Sequence, residues 1–161
     1  MSVDVATQQE QTWMARAIEL ATASVHSGGG PFGAVIVRDG EIVATGANRV
    51  TSDLDPTAHA EVVAIRNACR ELDTFSLAGC VLVTSCEPCP MCLASSMWAR
   101  VDRILFAADR DDAAAAGFDD RAFYDAITDP TKNPTAVARI EIHNRNEAFD
   151  AWRGKADRVD Y

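Results

Sequence analysis

Along the first half of the chain the apolar positions change period repeatedly. Met14, Ala17, Ile18 and Ala21 recur at helical intervals within residues 11–25, which predicts an opening amphipathic helix. The runs Ala34-Val35-Ile36-Val37 and Ile42-Val43-Ala44 then flank Arg38-Asp39-Gly40-Glu41, and Asp-Gly between two apolar runs predicts a hairpin. Behind Asp55-Pro56-Thr57, a helix-start cluster, residues 61–69 read as a mostly apolar helix. A strand over 81–84, a helix over 89–99, a strand over 103–107 and a helical stretch over 121–127 follow. An alternating segment over 137–142 reads as a last strand, and 146–156 as a closing helix with Phe149 and Trp152 on one face. Strands that alternate with helices after a hairpin imply an α/β fold, a three-layer α/β/α sandwich around a mixed sheet of about five strands. The 161 residues are expected to form one domain.

Candidate chemistry lies where this pattern predicts helix starts. His59 and Glu61 are two residues apart and would point roughly 200° away from each other within a helix, so they converge only at a helix N-terminus. Cys89 and Cys92 are three apart and share a helix face, with Pro88 fitting the helix start. A histidine and cysteines are the ligands of a soft metal, and His-x-Glu followed by Pro-Cys-x-x-Cys is the pattern of zinc-activated water chemistry, the Glu moving protons without binding the ion. Two helix N-termini facing one metal is the geometry this spacing calls for. Cys86 also forms Cys-x-x-Cys with Cys89, so spacing alone leaves open a closed structural site of His59, Cys86, Cys89 and Cys92. Because Cys86 follows the apolar run Val81-Leu82-Val83-Thr84, it is expected to end a strand and to stay outside the ligand set.

Composition narrows the partners. Net charge is −9, and no clustered run of Lys and Arg offers the counterion release that a polyanion requires, which argues against nucleic acid. No apolar run approaches the length of a membrane span, and the first residues lack the basic and apolar regions of a signal peptide, so a cytoplasmic location is expected. Five cysteines, three of them within seven positions, suit a metal in a reducing compartment better than disulfides. Gly28-Gly29-Gly30-Pro31-Phe32-Gly33 matches Gly-x-Gly-x-x-Gly only formally: it follows a helix and leads into a strand, the reverse of a dinucleotide site. The run Asp109 to Asp112 is expected to cap a helix, Cys69 and Cys80 to fill core space, and His26 and His143 to play no ligand role.

With these residues in place, the chain resembles the cytidine deaminase-like superfamily and, within it, the bacterial guanine deaminases of that fold. The resemblance runs from about Ala17 to Tyr161. It is carried by Gly29-Gly30-Pro31-Phe32-Gly33-Ala34-Val35, Asp55-Pro56-Thr57-Ala58-His59-Ala60-Glu61, the stretch Thr84 to Cys92, Ala116-Gly117-Phe118-Asp119-Asp120 and Phe149-Asp150-Ala151-Trp152-Arg153. It implies one zinc per chain on His59, Cys89 and Cys92, and hydrolytic deamination of guanine to xanthine and ammonia with Glu61 as the proton shuttle. Asn48 would hydrogen-bond the base, the backbone at Ala60 would hold its carbonyl edge, and Phe32 and Trp98 would wall the pocket. Asp120 would engage the guanine edge and assist proton transfer. The resemblance further implies a homodimer in which the segment of about 146–161 is exchanged, bringing Tyr161 to the partner's site. The rival readings are a deaminase of cytosine or an amino-triazine, a transfer RNA adenosine deaminase, which the charge opposes, and a zinc scaffold without catalysis.

Overall fold

A computed structural model describes residues 6–161. Helix α1 (Gln8–His26) starts three residues before the expected span of 11–25, because Thr7 and Glu10 form a reciprocal capping box. Strands β1 (Gly33–Arg38) and β2 (Glu41–Ala47) form the expected hairpin. Its turn residues Asp39 and Gly40 both have positive φ, the conformation a two-residue hairpin of matching twist requires. A short helix α2 (Val50–Asp53) precedes α3 (Ala60–Glu71), and β3 (Cys80–Cys86), α4 (Pro90–Trp98) and β4 (Arg103–Ala108) follow. Helices α5 (Arg110–Ala115), α6 (Arg121–Thr128) and α7 (Glu147–Gly154) complete the chain, with a 3-10 turn at Pro130–Lys132 between the last two.

The sheet order is β2-β1-β3-β4, with β1 antiparallel to both neighbours and β3 parallel to β4, so the sheet is mixed as expected. Alternation along β1 and β3 sends Val35, Val37 and Val83 toward α1 with Trp13, Met14 and Leu20, while Ala34, Ile36 and Leu82 pack on the other face with Ala60, Ala64, Ile65 and Ala68 of α3. These are the three layers. Each fully buried aliphatic side chain contributes about 1.5–3 kcal/mol. Stability therefore concentrates in α1, α3 and the two central strands, since α5, α6 and α7 bury no residue.

Among the described residues the strand count is four, not about five. Residues 137–142 carry no strand, and Val137 and Ile140 are 83% and 80% exposed. Alternation specifies which side chains share a face, but a strand exists only when its backbone finds a ladder partner. Within its own chain this segment has none among the described residues. Cys80 is fully buried and Cys69 packs at the core's margin, as expected of both. The acidic run at 109–112 caps α5, where Asp109 accepts from the backbone N–H groups of Asp111 and Asp112.

All strand ends that matter point the same way. Phe32 leads into β1, Asn48 follows β2, Cys86 closes β3 and Asp109 follows β4, and the pairings Gly33 with Ala47 and Cys86 with Ala108 hold these four positions at one end of the sheet. Helix α3 reaches the same end because Gly46 lets its backbone close on β2. A Cβ at Gly46 would lie 2.2 Å from the Ala60 carbonyl oxygen and 2.4 Å from the Ala64 nitrogen. Gly46→Ala must therefore push α3 outward, and it is expected to lower stability by about 1–3 kcal/mol, the range for overpacking. Urea unfolding measures this, and a midpoint equal to that of the unaltered protein would show that the close approach does not hold α3.

Candidate metal centre

His59 is the N-cap residue of α3 and Cys89 the N-cap residue of α4, both in extended conformation with no side-chain cap hydrogen bond, which releases their side chains toward each other. Helix α4 begins at Pro90, one residue inside the expected span of 89–99, so that Pro90 and not Pro88 is the proline at the helix start; the ring's preset φ and missing N–H suit the first helical position. Cys92 then sits on the first turn, fully buried. Upstream, Asp55 accepts from the N–H and hydroxyl of Thr57 and pairs with Arg66 on α3, bracing the turn that delivers His59.

His59 Nδ1 lies 3.6 Å from Cys89 Sγ and 3.5 Å from Cys92 Sγ, and the three donor atoms fall within 4.8 Å of one another. Tetrahedral coordination with bonds of about 2.3 Å to sulfur and about 2.0–2.1 Å to nitrogen requires a sulfur-to-nitrogen edge of about 3.6 Å. The donor set thus fits a tetrahedral zinc in both chemistry and spacing. Cys86 is outside the group: it ends β3, as expected, and its thiol donates to the Asp109 carbonyl at 3.7 Å.

Protonation follows this division. A hydrogen bond from Cys92 and another from His59 pull the Cys89 thiol down to about 4, while Cys92 is pushed up because its proton serves the Cys89 thiolate. A coordinated cation reverses the direction at Cys92, since it deprotonates a ligating thiol outright. Burial pushes the Cys86 thiol up to about 11, as suits a non-ligand. The hydrogen bond to Cys89 raises His59. Glu61, in the first turn of α3, is 5% exposed, and burial, reinforced by the charge of Cys89, raises its carboxyl above the ordinary carboxylate range. A buried carboxyl with raised proton affinity beside a metal site is equipped to take and return a proton.

A cavity of about 570 Å³ opens over this centre. His59, Glu61 and Cys89 line its floor, and Asn48, Phe32 and Asp120 line its walls, together with the backbone of Gly28 to Gly30. Asn48 Oδ1 accepts from the N–H groups of Gly30 and Val50 at 3.4 and 3.3 Å, which fixes its orientation and leaves Nδ2 to donate. Phe32 meets Phe118 edge to face with centroids 5.0 Å apart, closing one side. Burial and the Cys89 charge raise the Asp120 carboxyl. Ala60, fully buried, has its Cβ in the core and only its backbone at the helix start. Trp98 and Tyr161 are placed elsewhere. They line a larger cavity of about 980 Å³ on the outer side of α3 and α4, which contains no metal ligand.

Sequence reasoning missed Glu87, Arg110 and Phe123 as cavity residues. Glu87 stands inside the cysteine motif, yet its partner Arg110 is 23 positions away, and no local spacing signals such a pair.

Three protein donors, which leave a tetrahedral ion one position for water, and a buried carboxyl two residues from one donor define a zinc centre built for hydrolysis. The chain belongs to the cytidine and deoxycytidylate deaminase zinc-binding family, whose model matches residues 7–108. Guanine deaminase of Bacillus subtilis is 48% identical over 153 residues, 94% of this chain and 98% of that protein. The X-ray structure of guanine deaminase from that organism superposes with a TM-score of 0.91 over 94% of this chain and 98% of that one. A tRNA-specific adenosine deaminase of Aquifex aeolicus is 42% identical over 57% of this chain and 61% of its own length. A solved complex with 2,6-diaminopurine is 38% identical, with a TM-score of 0.67 over 73% of this chain and 65% of that chain.

Purified protein is expected to hold about one zinc per chain, with Cys89→Ala and Cys92→Ala losing it and Cys86→Ser retaining it. Metal analysis decides: a Cys86→Ser protein as depleted as Cys89→Ala would make the site a closed, four-ligand one.

Proposed function

We propose that this protein hydrolyses guanine to xanthine and ammonia. The observation that carries the reading is the convergence of the three-donor centre, Glu61, Asn48 and Asp120 on one cavity, together with a guanine deaminase relative that spans 94% of the chain. Zinc held by His59, Cys89 and Cys92 would lower the pKa of water it coordinates from about 15.7 to about 7. The chain's own groups do the rest. Asn48 Nδ2 donates to the purine carbonyl and Asp120 accepts from the neighbouring N–H edge, which together present C2 to the floor of the cavity. Glu61 accepts the proton of the attacking water as its oxygen bonds to C2. The same carboxyl passes that proton to the ring nitrogen, then takes the proton of the new C2 hydroxyl and delivers it to the amine, so that the C2–N bond breaks, the C2 carbonyl forms and ammonia departs. Phe32 and Phe118 exclude bulk water from one side. The transfer RNA reading is weaker, because a protein of net charge −9 repels a polyanion.

A cytoplasmic location is part of the same reading. All five cysteines are unpaired, which suits a reducing compartment, and no helix among the described residues is long and apolar enough to cross a membrane.

The reading includes a homodimer in which the segment of about 146–161 is exchanged. Phe149, Val159 and Tyr161 are 62%, 60% and 70% exposed, and Trp98, Trp152 and Tyr161 form an aromatic cluster away from their own catalytic cavity. Clustered exposed apolar side chains of this kind mark an interaction surface, and a second copy of the chain is the occupant this reading assigns to it. The open edge of β4 offers the preceding segment a place to pair.

Ammonia release across free bases is expected to show guanine turned over far faster than cytosine or adenine. Glu61→Gln should keep zinc and bind guanine, yet lose kcat by about 10²- to 10⁴-fold. Faster release from cytosine would move the substrate reading, and near-native turnover in the Glu61 variant would remove its role.

Mixing Glu61→Gln chains with chains truncated before Val159 tests the exchange. One heterodimer site then inherits both defects, and the other combines an intact Glu61 with an intact tail. Activity that neither parent has is expected; proven heterodimers without recovery would place the tail's action within its own chain.

A further inference from the structure

Helix α6 presents Asp120 to the cavity but has almost nothing to hold it in place. It buries no residue, and its apolar side chains Phe123 and Ile127 are 57% and 68% exposed. Asp120, at its N-cap, makes no capping hydrogen bond. What fastens the helix is a polar cluster on the side facing the metal-ligand loop. Tyr124, one turn after Asp120, donates its hydroxyl to the carbonyl of Pro88, the residue before Cys89, at 3.2 Å. The Arg110 guanidinium lies over the Tyr124 ring, 4.1 Å from its centroid. Arg110 in turn grips Glu87, whose Oε2 accepts from the Arg110 backbone N–H at 3.1 Å and from Nε at 3.2 Å, while Nη2 bonds Oε1. Glu87 itself is tied to the sheet, its N–H donating to the Ala108 carbonyl at 2.8 Å.

We propose that Arg110 and Tyr124 are positioning residues that bolt α6 to the loop carrying Glu87 and Cys89, and so fix Asp120 relative to the metal and the bound base. The inference rests on the base-binding role proposed for Asp120. Arg110 suits the task because one planar group pairs with a carboxylate on its edge and stacks on a ring with its face, which lysine cannot do together. Polar contacts can hold α6 this well only because Glu87 is nearly buried, its side chain 9% exposed, where water competes weakly. Misplacing a binding group by about 1 Å can cost on the order of 10²-fold, so a modest loosening of α6 is enough to register in the kinetics.

The test is a double-mutant cycle on guanine turnover at one zinc per chain, using Tyr124→Phe and Arg110→Met, each with and without Asp120→Asn. Tyr124→Phe removes one hydroxyl and keeps the ring, so it carries the test even where Arg110→Met folds poorly. It is expected to raise KM about 3- to 10-fold, with kcat changed less, and to have an effect below about twofold once Asp120 is already Asn. Hydrogen exchange supplies a readout independent of activity: amides of α6 should exchange faster in Tyr124→Phe while those of β1 and β3 stay unchanged. The same fold-loss with and without Asp120, or α6 exchange equal to that of the unaltered protein, overturns the proposal. Failure of the unaltered protein to release ammonia from guanine refutes the substrate reading instead, and the exchange comparison then decides the brace by itself.

Discussion

The site depends on two helix N-termini being aimed at a single point. His59 caps α3 and Cys89 caps α4, and their donor atoms meet at 3.6 Å only because neither residue uses its side chain to cap its own helix. The orphan backbone N–H groups of the two helix starts carry partial positive charge, which favours thiolates at the point where they meet. The burial of Glu61 is a by-product of the same geometry. Placed two residues inside α3, it is carried under the cavity floor with the helix, and loss of water raises its affinity for a proton.

That convergence is held by the sheet. Pairings on both sides of β1, and the parallel pairing of β3 with β4, bring Phe32, Asn48, Cys86 and Asp109 to one edge. Gly46 brings α3 close enough for His59 to reach the cysteines. A slip of one residue along β3 would exchange its two faces and turn Cys86 and the loop beyond it away from His59. The catalytic end is thus as well determined as the most buried part of the protein.

The remainder of the wall has a different physical basis. Helices α5 and α6 bury no side chain, and they owe their positions to the capping of α5 by Asp109 and to the contacts of Glu87, Arg110 and Tyr124. A metal floor fixed by the core and a wall fixed by a few polar contacts allow the wall to vary while the metal centre stays the same. The C-terminal residues are held more loosely still: α7 buries no residue, and Tyr161 meets Trp98 at a cavity on the outer side of α3 and α4.

The sequence by itself determined whatever depends on neighbours a few residues apart. The hairpin was legible in Asp39 and Gly40, the two helix starts in His59 with Glu61 and in Cys89 with Cys92, and the exclusion of Cys86 in the apolar run before it, because turn geometry, helical period and strand direction are local properties of the chain. Other features depend on which distant surfaces meet, and only the tertiary structure decided them. The helix start at Pro90 rather than Pro88 answers to where Cys89 must point. The pairing of Glu87 with Arg110, the outward placement of Trp98 and Tyr161, and the lack of a ladder partner for residues 137–142 follow from long-range packing. Side-chain alternation fixes a face but not the strand beside it, and a salt bridge fixes two charges without leaving a spacing that could be read in advance.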